Sequence, residues 1–278
     1  DSALHYAARE GIVKMAQFLI GHQAENDMRA ANINLQNEFG ETALHLAVRS
    51  GEVEMVHLLL RHGANTSIQN ERGDAAIHVA LGELGCPTVQ LLLKYDADLH
   101  LRNHAGDMAV HIASRVENDS ILESLVQQGG DVHAKDKRGM RPIHHRTAKR
   151  LGVRTLVRLG ADVRAQIFDG KTALHMFIEV GSCNQDSFSA LGHPQDLVFI
   201  KDFNGMTALH YAAQKSSAVM VRRLLLLVPE QNKRLGLLST QDRFGQTALH
   251  SAAKRNTLEI FRILFEAGAN LELRDRDG

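Results

Sequence analysis

Cysteine is scarce in this chain, with Cys86 and Cys183 the only two among 278 residues. Two thiols cannot build the disulfide framework of a small secreted scaffold, and no CxxC pair suggests a zinc or redox site. A reducing compartment, cytoplasm or nucleus, is therefore expected. The sequons Asn65-Thr66-Ser67 and Asn118-Asp119-Ser120 match a pattern common by chance and leave that expectation in place. Net charge is equally lacking, because 32 Lys and Arg offset 32 Asp and Glu. No overall field draws in nucleic acid or an anionic membrane, so neither is expected as a partner. No apolar run approaches the roughly 18 residues that span a bilayer, and the first residues lack a basic segment followed by an apolar one. Nucleophile elbows, Walker loops, HExxH helices and kinase motifs are missing too. The chain is thus read as having no catalytic residue, no cofactor and no small-molecule substrate.

What the chain has in abundance is a repeated tetrapeptide around one histidine. It recurs at His5, His45, His78, His111, His144, His175, His210 and His250, at intervals of 40, 33, 33, 33, 31, 35 and 40 residues. A period near 33 means a solenoid in which each copy buries its apolar face against the next. Each copy also carries the punctuation of two short helices. In the second, Thr42 caps a first helix and Gly51 ends it, while Val53, Val56, Leu59 and Leu60 mark a second helix that Gly63-Ala64-Asn65 closes. Asn70 to Gly73 then form a turn into the next copy. Pro142 and Pro87 fall where a helix begins and the missing amide costs nothing.

Gly40-Glu41-Thr42-Ala43-Leu44-His45-Leu46-Ala47, with Leu58-Leu59-Leu60 and Gly63-Ala64-Asn65, resembles the consensus of the ankyrin-repeat family. The resemblance covers the whole chain. It implies an all-α fold, a solenoid of stacked helix pairs joined by β-turn fingers, with residues 1–278 forming a single array of eight repeats. It also implies that the eight histidines are structural, each bonded to nearby backbone and to the capping threonine, so no metal site is expected.

Departures from the pattern carry expectations of their own. About seven extra residues lie around Glu25 to Asn32 and another seven around Pro229 to Leu238; both are read as loops on the turn side. Repeats five and six, about residues 136–201, are degenerate. His145 and Arg146 replace small or apolar residues, Phe177 replaces an alanine, and Ser182 to Ser189 replace the second-helix leucines. Packing there is expected to be the weakest in the array. The ends carry no polar cap, which suggests a piece of a longer chain.

Binding residues are sought where repeats differ without harming the fold. Four of seven turn tips present a phenylalanine, Phe39, Phe168, Phe203 and Phe244, read as equivalent positions and as aromatic anchors. Arg72 stands at another tip, and Arg243 stands beside Phe244. Lys137, Arg138 and Arg141, with Lys135, Lys149 and Arg150, make a basic stretch in the fifth copy suited to an acidic or phosphorylated segment. The expected function is a scaffold or recruitment module that holds a protein or peptide on its concave face and turn tips. The alternative is a regulatory or substrate-recognition region of a larger channel, ubiquitin ligase or other enzyme.

Overall fold

In a computed structural model of the protein, the described residues are 1–21, 32–83, 86–181, 185–191 and 196–277. They form two compact units, Asp1–Lys137 and Arg138–Gly278. All regular structure among them is helical.

In the first unit, first helices α1 (Ala3–Arg9), α3 (Ala43–Arg49), α5 (Ala76–Gly82) and α7 (Ala109–Ala113) alternate along the chain with second helices α2 (Val13–Gly21), α4 (Val53–Arg61), α6 (Cys86–Lys94) and α8 (Asp119–Gln127). First helices pack on first helices and second on second, giving two layers. The local reason is readable in α3. Thr42 in extended conformation caps the helix, and Ala43 through Val48 are all buried. Only a helix covered on nearly every side is apolar all round, and its alanines let neighbouring helices approach on both flanks. By contrast, α4 buries one stripe, Met55, Val56, Leu59 and Leu60, and turns its charged residues outward. Gly51, at φ 71°, then supplies the left-handed turn between the two helices.

The second unit follows the same plan with α9 (Pro142–Ala148), α10 (Arg154–Arg158), α11 (Ala173–Glu179), α12 (Gln185–Ala190), α13 (Ala208–Gln214), α14 (Ala218–Leu226), α16 (Ala248–Lys254) and α17 (Leu258–Glu266). A short 3₁₀ turn, Leu197–Phe199, and an additional helix, α15 (Gln231–Leu238), complete it.

One sequence expectation needs correction here. The extra residues near Pro229 are not a plain loop. Leu237 and Leu238 at the end of α15 are 1% and 2% exposed, so the insertion has an apolar face to bury and folds as a helix. The sixth copy, expected to lack its second-helix leucines, forms α12, with Phe188 and Leu191 buried. The Phe188 ring lies 6.2 Å from Phe177, which fills the space an alanine would leave. The expected loop at Glu25 to Asn32 falls almost wholly outside the described residues, at 22–31. Arg146 and His145 are buried in the fifth copy, and the Arg146 guanidinium donates from Nε to the Gly152 carbonyl. No helix among the described residues is long and apolar enough to cross a membrane.

Candidate partner-binding face

The turn fingers are built from side chains that substitute for strand pairing. Asn37 Oδ1 accepts the backbone N–H of Phe39 at 3.0 Å and of Glu41 at 2.9 Å, closing its turn from within. Asn70, Asn103, Asp202 and Asp242 do the same in their own copies. Successive fingers are joined by one backbone bond each, such as Glu71 N–H to the Phe39 carbonyl at 3.0 Å and Phe203 N–H to the Asp169 carbonyl at 3.0 Å. A second link was missed by the sequence reading. Gln69 Nε2 donates both to the Gly73 carbonyl of its own turn and to the Arg102 carbonyl of the next copy, at 2.5 and 2.8 Å. Gln36, Arg102, Gln166 and Gln241 form the same clasp. Its signal was a long amide or basic side chain four residues before each turn glycine.

The repeat histidines tie fingers to first helices. Thr42 N–H donates to His45 Nδ1 at 3.1 Å, and His45 Nε2 donates to the Asp74 carbonyl of the next copy at 3.0 Å. A ring that accepts at Nδ1 and donates at Nε2 is neutral, with its proton on Nε2. Burial lowers the pKa of His45 below its ordinary value, as it does for His5, His78, His111, His175 and His210.

On this frame the first unit opens a groove of about 710 Å³ between its fingers and its first helices. Phe39 and Arg72 stand on adjacent tips, Leu46 and Arg49 of α3 form the floor, and Arg9 of α1 and Glu71 complete the walls. Phe39 is 59% exposed. Two of the three guanidiniums are held internally, Arg9 by Asp1 at 2.6 Å and Arg49 by both oxygens of Glu41. That bidentate pairing with Glu41 raises the Arg49 pKa further. Arg72 is exposed and has no ion-pair partner among the described residues. The groove thus offers an apolar wall, a free cation and two cations fixed in direction.

In the second unit the tip phenylalanines are exposed, Phe168 by 66%, Phe203 by 73% and Phe244 by 51%. They are not equivalent to one another, which corrects the sequence reading. The Phe168 ring lies over Gly139 and the Phe203 ring over Gly170, the glycines of the preceding turns, where an added Cβ would meet each ring at 2.7 Å. Phe39 and Phe244 stand one residue later in their turns, directly before the glycine. Arg243 stacks on Phe244 at 4.6 Å and leaves the tip amphipathic.

The basic stretch is divided by the fold. Lys137 and Arg138 are exposed tip residues, at the end of the first unit and the start of the second. Arg141 precedes α9 as its N-cap residue, with its guanidinium 3.4 Å from Asp162 and only 20% exposed. Lys149 and Arg150 lie beyond the far end of α9, a helix length of roughly 10 Å away.

Three relatives illustrate what the chain is similar to. It is 31% identical to dog inversin over 123 residues, 44% of this chain and 11% of inversin. It is 33% identical to the mouse B-cell lymphoma 3 protein homolog over 114 residues, 41% of this chain and 24% of that protein. A stretch of 66 residues, 24% of this chain, is 42% identical to the rice BTB/POZ domain and ankyrin repeat-containing protein NPR2, of which it covers 9%. The chain therefore matches a quarter or less of the length of these relatives. A family model for ankyrin repeats in three copies matches residues 4–103 and 183–275, more than half of the chain. With that match, the helix pairs, turn fingers and histidine anchors described above place the chain in the ankyrin-repeat family.

Proposed function

We propose that this chain is a non-catalytic protein-interaction module, working in the cytoplasm or nucleus, that grips an extended partner segment between its turn tips and first helices. The groove beside Phe39 carries the reading, because it joins an exposed ring, an apolar floor at Leu46 and the unpaired guanidinium of Arg72. An apolar partner residue would rest on Phe39 and Leu46, and an adjacent carboxylate or phosphate would reach Arg72. Arg9 and Arg49, already oriented by Asp1 and Glu41, add attraction without needing to be ordered on binding. Within the second unit, Phe168, Phe203 and Phe244, with Arg243 and Arg138, offer further tip contacts, as Lys137 does at the end of the first; Arg141 contributes through its tie to Asp162 rather than by direct contact.

Selection of a random peptide library on the purified chain tests this. Enriched peptides should pair an apolar residue with Asp, Glu or phosphoserine and should lose binding to Arg72→Glu and Phe39→Ala proteins that keep the parent circular dichroism. Enriched peptides that bind both variants like the parent would exclude the groove.

The short coverage of the relatives favours a second reading, in which the array is the recognition part of a larger polypeptide such as a channel, a ubiquitin ligase or another enzyme. The same peptides would then displace that protein's substrate or regulator.

A further inference from the structure

The loops between first and second helices sort by charge between the two units. In the first unit they carry Glu10, Glu52, Glu83 and Glu117, and a cation, Arg115, that is paired with Asp107 at 2.7 Å. In the second they carry Lys149 and Arg150, Lys215, and Arg255, joined by Lys254 at the end of α16 and Arg154 at the start of α10. All six cations are exposed and have no ion-pair partner among the described residues. In the flanking helices α11 and α17, Glu179 pairs with Lys171 at 2.9 Å and Glu259 lies 3.7 Å from Arg222. In a chain of zero net charge this is a local excess of one sign, and α9, α11, α13 and α16 pack in succession to bring it onto one edge.

Backbone strain marks the same edge. Copies one, two and six place Gly11, Gly51 and Gly181 in the left-handed turn that ends the first helix; the fifth, seventh and eighth hold Arg150, Ser216 and Asn256 there, at φ 61°, 55° and 53°. A glycine would relieve that conformation in the fifth copy.

We propose that this inter-helix edge of the second unit docks an acidic protein segment running across copies five to eight. The surface shares no residue with the first unit's groove. Three helix spacings of about 8–10 Å match eight or nine extended residues at ~3.3 Å each. Val219 and Leu258, 56% and 62% exposed in the first turns of α14 and α17, supply apolar contacts among the cations. The described loop residues of this edge include no aromatic side chain, so it lacks the stacking platform that single-stranded nucleic acid uses. A peptide that alternates carboxylates with an apolar anchor fits these contacts best.

The test is fluorescence anisotropy with a labelled peptide of about twelve Asp and Glu residues around a central Leu, added to the whole chain. Salt-sensitive binding is expected, weakened roughly tenfold by Lys254→Glu with Arg255→Glu and several-fold by Lys149→Glu. Arg150→Gly separates function from folding, because it should raise the melting temperature and still weaken the peptide. Equal binding of an Asn/Gln peptide, or indifference to these substitutions, would overturn the proposal. So would tighter binding of a single-stranded oligonucleotide or of phosphatidylserine vesicles. A concentration-dependent dimer in sedimentation, abolished by the same charge reversals, would assign the edge to the acidic loops of a second copy and overturn it as well. Loss of the peptide in Arg72→Glu alone would move it to the first unit's groove, whereas failure of the groove experiment leaves this edge untouched.

Discussion

Each of the four second helices in the first unit is nine residues long; in the second unit α10 has five and α12 six. A five-residue helix buries Thr155 and Leu156, whereas α4 buries four apolar side chains. The first helices differ far less, and α3, α5, α11 and α13 are each packed between two other first helices. Regularity in this fold thus resides in the inner layer and its turns, and the outer layer is where a copy loses stability. Phe188 and Phe177 repair part of that loss by filling volume with two rings.

The largest effect should come from striking the repair. Phe188→Ala should cost roughly 3–5 kcal/mol and lower the unfolding midpoint of the second unit alone. Hydrogen exchange and denaturant melts should show the second unit opening before the first, with protection lowest between His144 and Val198. One cooperative transition with uniform protection would erase the contrast between the units.

Removing a histidine anchor comes next. His78→Ala should cost roughly 1–3 kcal/mol through its lost buried hydrogen bonds, with no change in any chemical activity. Acid should act through the same groups. Their folded pKa values lie below the unfolded one, so under pH ~6.5 the unfolded chain binds protons that the folded chain does not. Stability is full above that pH and falls as pH drops through 6 and 5. Rings bonded in this way lie in both units, His144 among those of the second, so both midpoints should fall as the pH drops. A pH series of denaturant melts that stays flat between pH 7 and 5 would count against the neutral-ring assignment.

Two smaller effects sharpen the comparison. Gln69→Ala, which opens one clasp, should cost about 1 kcal/mol. Opposite signs are expected at the helix-ending turn, where Gly51→Ala loses about 1 kcal/mol in the first unit and Arg150→Gly gains a similar amount in the second. Paired thermal melts read both.

Much of the fold was legible in the residues. The histidine recurs in every copy, the alanine after the cap in all but the fifth and the glycine after the first helix in several, and these are local requirements that the chain restates. The insertion ending in Leu237 and Leu238 was misread because loop-closure entropy says what a longer connection costs and nothing about the surface it finds to cover. The tip phenylalanines were misread by one position, although the Phe-Gly and Phe-x-Gly spacings already distinguish Phe39 and Phe244 from Phe168 and Phe203. Of the candidate site, Phe39 and Arg72 were found at the tips, but Leu46, Arg49 and Arg9 on the groove floor were not, because nothing in a first helix marks which side chains border an opening.

By itself the sequence determined the period, the helix pairs and the turn chemistry, since these follow from contacts within some 33 residues that recur from copy to copy. Only the tertiary structure decided which charges act together. It turned Arg141 back to Asp162, left Lys137 and Arg138 at the tips, and carried Lys149 and Arg150 one helix length away into a row with Lys215 and Arg255. Stacking brings residues tens of positions apart in the chain onto one edge, and a helix length separates neighbours in sequence, so no reading along the chain assembles either surface.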